Sequence, residues 1–121
     1  MSMQHLSDME SAQSVKRIGF DEAEVVANFP GGYLLVVRGT APCVNMEVRL
    51  SPLIYIGCPD YWGIEVIGLL PGGICLTAVK PYVATIALQG VTGSQGIEVL
   101  GANRSERFDV PDGCKPGLAF T

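Results

Sequence analysis

Glycine and proline divide this chain so finely that little room is left for helices. There are 15 Gly and 8 Pro in 121 residues, and after Gly19 the longest stretch free of both is the ten residues Phe20–Phe29. Glycine costs a helix backbone entropy, and proline removes a donor and clashes with the preceding turn. Between the breaks the segments are rich in Val, Ile, Leu, Tyr and Thr, the residues that suit a pleated, half-buried surface. The expected fold is therefore all-β, an antiparallel β-sandwich or closed β-barrel of about eight to nine short strands.

The spacing places strands near Glu22–Phe29, Tyr33–Thr40, Val44–Leu50, Leu53–Ile56, Trp62–Leu70, Ile74–Val79, Tyr82–Leu88, Gly96–Gly101 and Glu106–Val110. Pro30-Gly31-Gly32 combines a fixed φ with residues that tolerate positive φ, so it is expected to close a hairpin. Pro71-Gly72-Gly73 repeats that chemistry. Gly63-Ile64-Glu65-Val66-Ile67-Gly68 and Gly96-Ile97-Glu98-Val99-Leu100-Gly101 differ at one position. Two related β halves would explain the echo, and so would chance convergence of two strands.

Residues 18–113 are read as one β domain, since a chain of this length supports a single core. Residues 1–17 are expected to be a flexible or short-helical tail: Ser7-Asp8-Met9-Glu10 has a capping-box pattern, but the apolar residues recur strictly every three positions and drift around a helix. Residues 114–121 are expected to form a C-terminal tail.

Apolar residues make up 48% of the chain and charged residues 17%, against about 25% charged in an average soluble protein. Homo-oligomerisation, with apolar surface covered by another copy, follows as an expectation. The net charge of −4, with scattered Lys and Arg, argues against a nucleic-acid partner. Gly or Pro interrupts every apolar stretch well short of the roughly 20 residues that cross a bilayer, so no membrane partner is expected. Without a recognisable signal sequence the expected location is cytoplasmic, and Cys43, Cys58, Cys75 and Cys114 are then expected to be reduced. In that setting the sequon Asn103-Arg104-Ser105 carries no meaning.

The missing chemistry narrows function further. His5 is the only histidine, so a Ser-His-Asp or Cys-His set has no well-placed base. No Cys-x-x-Cys pair occurs, and neither a metal nor any other cofactor is expected. The loop Gly90–Gly96 is glycine-rich but matches no phosphate-binding pattern.

Two glutamates stand out, because Glu65 and Glu98 each sit in the middle of an otherwise apolar strand. A half-buried carboxylate must find a cation or hold its proton. A cross-strand pair with Arg38, Arg49 or Arg104 is one reading, with Glu47 competing for Arg49. The other is a pocket acid or base. Tyr61 and Trp62, at a Pro-Asp turn entering a strand, are candidate ligand or interface residues together with Arg38 and Arg49.

The sequence thus favours a non-catalytic binding or assembly module that self-associates and binds a protein or small ligand. The alternative is a small cofactor-independent enzyme using Glu65 or Glu98 as general acid/base. A thiol sensor with an exposed cysteine is a third reading.

Overall fold

The computed structural model describes residues 14–116. It is all-β, with strands β1 (Ser14–Arg17), β2 (Glu22–Ala27), β3 (Tyr33–Ala41), β4 (Glu47–Pro52), β5 (Tyr61–Leu70), β6 (Lys80–Ala87), β7 (Gly96–Leu100) and β8 (Ser105–Asp109), and one short 3₁₀ turn, Pro71–Gly73. β2, β3 and β6 form a three-stranded sheet in that order, with β3 central. The other five strands form a second sheet organised around β5.

β5 is long enough to serve three partners. β4 pairs with Ile64–Leu69 along one edge. The other edge is shared between β7, which runs parallel to Tyr61–Glu65, and β1, which runs antiparallel to Ile67–Leu70. β8 extends the sheet by pairing antiparallel with β7.

Alternation along the strands explains the core. Ile64 and Val66 of β5, Ile97 and Val99 of β7, and Leu35 and Val37 of β3 are all at 0% exposure. They join Phe20, Met46, Tyr82, Ala84 and Leu88 in a single cluster fed by both sheets. Burying each such side chain contributes about 1.5–3 kcal/mol before conformational entropy is counted.

The chain crosses between sheets at Ile18–Asp21, where Asn103 acts as a clamp. Its Oδ1 accepts from the Phe20 N–H at 3.1 Å and its Nδ2 donates to the Phe20 carbonyl at 3.0 Å. Asn103→Ala would leave both backbone groups without these partners, an expected loss of about 2 kcal/mol that urea unfolding would register. Tyr82 secures the same crossing by donating to the Gly19 carbonyl at 2.8 Å. Burial, with a smaller contribution from the charge of Asp21, pushes the Tyr82 hydroxyl up to about 12. The unfolded phenol ionises near 10, so its stabilisation is complete below pH 10 and is lost as pH rises through about 12. Unfolding curves between these pH values are expected to show that loss in the native protein and a shallower one in Tyr82→Phe.

Several expectations are corrected. The sheets do not close into a barrel, and the β5–β7 pair is parallel, so the fold is not purely antiparallel. Leu53–Ile56 is not a strand. The β4 ladder ends with the Leu53 N–H donating to the Gly63 carbonyl, after which Ile54 and Ile56 have nothing to pack against. Ile74–Val79 is not a strand either, because Gly72 and Gly73, both at positive φ, turn the chain out along the surface. Pro30-Gly31-Gly32 does join an antiparallel hairpin, β2–β3.

Ser14–Arg17, assigned to the tail, forms β1, while the proposed helix start at Ser7 lies outside the described residues. The echoing Gly-Ile-Glu-Val segments lie side by side as β5 and β7, but β5 pairs with the strand before it, whereas the strand before β7 is in the other sheet. That ends the idea of two equivalent halves.

The cysteine expectation is overturned outright. Cys43 is bonded to Cys75 and Cys58 to Cys114, and no cysteine is free. The first bridge ties the surface segment after the 3₁₀ turn to the β3–β4 connection. The second ties the loop before β5 to the chain beyond β8.

Candidate functional site

Glu65 and Glu98 both point to the outer face of the five-stranded sheet, as alternation requires when Ile64, Val66, Ile97 and Val99 fill the inner face. Each meets an arginine. Glu65 pairs with Arg17 of β1 at 2.5 Å, and Glu98 pairs with Arg107, its direct cross-strand neighbour on β8, at 3.8 Å. Neither partner is one of the three arginines considered from the sequence. Arg17 was missed because it was assigned to the tail, and Arg107 because register cannot be read from one strand.

The remaining arginines are engaged elsewhere. Arg38, on the outer face of the smaller sheet, pairs with Glu24 at 2.7 Å and approaches Glu22 at 3.9 Å. Arg49 pairs with Glu47 on its own strand at 2.9 Å. Arg104 pairs with Glu106 and donates to the Asp21 carbonyl. The five-stranded sheet therefore carries an outer lattice of matched charges, with both glutamates on an open face.

Tyr61 belongs to that lattice and Trp62 does not. The Tyr61 hydroxyl donates to Asp109 at 2.7 Å, and the Arg107 guanidinium lies 4.7 Å from its ring centre. The hydrogen bond to Asp109, with some desolvation, raises the phenol above its ordinary value. Trp62, one residue on, turns toward the core. Its indole N–H donates to the Leu53 carbonyl at 2.9 Å, and Tyr55 meets it edge-on at 5.0 Å between ring centres. Trp62 and Tyr55 thus anchor the β4–β5 loop.

That anchoring leaves the loop's other side bare. Ile54 is 96% exposed and Ile56 100%. At the other end of β5, Ile74, Leu76 and Val79 are also exposed. This second segment is held by the Cys43–Cys75 bridge, by Asn45, whose amide donates to the Ile74 carbonyl while its Oδ1 accepts from the Leu76 N–H, and by the Val44 N–H donating to the Leu76 carbonyl. Both segments are apolar ridges fixed from beneath. Their β-rich composition is visible in the sequence, where it reads as two strands.

A cleft of about 680 Å³ opens where the β2–β3 hairpin tip meets the loops after β6 and β8. Leu88 and Thr92 lie at its base, and Asn28, Tyr33, Gln89 and Asp112 supply its polar side chains. None of these was singled out from the sequence; turn residues from three distant segments gave no signal that they converge. Among the described residues no helix is long and apolar enough to cross a membrane.

No protein-family model, curated protein or solved structure matches this chain.

Proposed function

We propose that this chain is a non-catalytic assembly module, a disulfide-stapled β-sandwich that associates with further copies of itself through its exposed apolar loops. The observation that carries this reading is the near-complete exposure of Ile54 and Ile56 on a loop pinned by Trp62, Tyr55 and the Cys58–Cys114 bridge. Rigidly presented aliphatic side chains lose little entropy on docking, and apolar surface grouped in this way marks contact sites. Ile74, Leu76 and Val79, at the other end of β5, offer a second such surface.

The enzyme alternative draws no comparable support. An acid/base glutamate needs a sheltered site near substrate, whereas Glu65 and Glu98 are matched by arginines on an open sheet face. The thiol-sensor reading has no free thiol to use. Two disulfides also favour an oxidising compartment over the cytoplasm expected from the sequence.

Light scattering on the full chain tests the assembly reading. The native protein is expected at a multiple of 12.8 kDa, and Ile54→Ser/Ile56→Ser is expected to weaken association at least tenfold without lowering stability. A monomeric native protein, or a double variant with unchanged mass, would overturn it.

A further inference from the structure

We infer that the cleft between the β2–β3 hairpin tip and the loops after β6 and β8 is a binding site for an alkylammonium group, of the kind carried by a lysine side chain. The inference is independent of self-association, because the cleft shares no residue with the isoleucine loop.

Across the rest of the surface, acidic side chains are largely matched: Glu22 and Glu24 with Arg38, Glu47 with Arg49, Glu65 with Arg17, Glu98 with Arg107, Glu106 with Arg104, and Asp109 with Tyr61. The cleft departs from that pattern. Among the described residues, no side-chain hydrogen bond or ion pair engages Asn28, Tyr33, Gln89 or Asp112, although all four line one concavity. Polar groups converging on a cleft with an apolar base are the usual form of a small-ligand site.

Their chemistry selects the ligand. No Lys, Arg or His lines the cleft, so an anion would find no cationic partner. Asp112 supplies a carboxylate, Asn28 and Gln89 supply amide oxygens, and Tyr33 supplies a phenol oxygen and an aromatic face. An ammonium has three donors and no acceptor, which matches such a set, and its charge is complementary to Asp112 and to the ring quadrupole. Leu88 and the flanking prolines, Pro30 and Pro111, give an alkyl stem apolar surface to lie against. The Asp112 backbone has φ 65°, a conformation that Asn also tolerates. Removal of this charge by Asp112→Asn is therefore compatible with the fold.

The test is a titration of the ¹⁵N-labelled full chain, monitored by amide shifts, with an acetylated and amidated Gly-Lys-Gly tripeptide. Its norleucine counterpart and a neutral disaccharide serve as comparison ligands. The lysine peptide is expected to give saturable shifts at Gly31, Gly32, Gln89 and Thr92, with affinity reduced at least tenfold in Asp112→Asn and also reduced in Gln89→Leu. The norleucine peptide and the disaccharide are expected to leave these signals in place. Absence of saturable shifts with the lysine peptide would overturn the inference, as would equal binding of either neutral ligand or unchanged affinity in both variants.

Discussion

Replacing Cys58 and Cys114 together by serine is expected to lower the unfolding free energy by about 4 kcal/mol, because the bridge closes a sequence separation of 56 residues. The closed span contains β5, β6, β7 and β8, so the unbridged chain gains freedom over four of the eight described strands. The loss is expected as a fall in the urea midpoint of roughly 2 M or more. Cys43→Ser/Cys75→Ser opens a shorter span, 32 residues, and is expected to cost slightly less. Its more local consequence is release of the Ile74–Val79 ridge, visible as faster proteolysis there. A midpoint unchanged in the Cys58/Cys114 variant would mean that the core alone holds the domain.

Gly96→Ala is expected to cost about 3 kcal/mol. Gly96 opens β7 opposite Asp109, and a Cβ there would run into the Phe108 carbonyl oxygen, which is backbone and cannot swing aside. Retreat is blocked on the other side, since the Gly96 N–H donates to the Asp60 carbonyl and its own carbonyl accepts from the Gly93 N–H. Gly31→Ala is the matched control: a Cβ at Gly31 meets nothing within 4 Å, so its expected cost stays below about 0.5 kcal/mol. Thermal unfolding of the two variants side by side gives the comparison.

The legible part of the fold is the part governed by local chemistry. Proline and glycine at 30–32 mark a hairpin because turn conformation is a property of those residues. Alternation through Ile64-Glu65-Val66 marks a strand because one face is buried. Leu53–Ile56 and Ile74–Val79 have the same β-rich composition, yet neither forms a strand. For the first, the ladder stops at Leu53, and the chain beyond it is held as a loop by Trp62 and Tyr55; for the second, a disulfide and Asn45 take the place of a ladder. Strand partners are a global property, and composition does not encode them.

The same limit governs the sites. A carboxylate in an apolar strand announces that it must be matched, and Glu65 and Glu98 are. Which arginine does the matching depends on register, so Arg17 and Arg107 were not identifiable in advance. Cys43 and Cys75 read as isolated thiols because no short spacing links them, and only the return of the chain past the β3–β4 connection brings them together. The cleft was hidden for the same reason, being assembled from Asn28, Gln89 and Asp112 on three separate loops.

The two bridges, Cys43–Cys75 and Cys58–Cys114, fix the apolar ridge and the isoleucine loop on which the proposed assembly rests. Denaturation without reductant in the presence of an alkylating reagent, followed by proteolysis and mass spectrometry, addresses them directly. The expected result is no alkylated cysteine and two linked peptide pairs, Cys43 with Cys75 and Cys58 with Cys114. Alkylation at all four positions, or pairs joined in any other combination, would contradict the account.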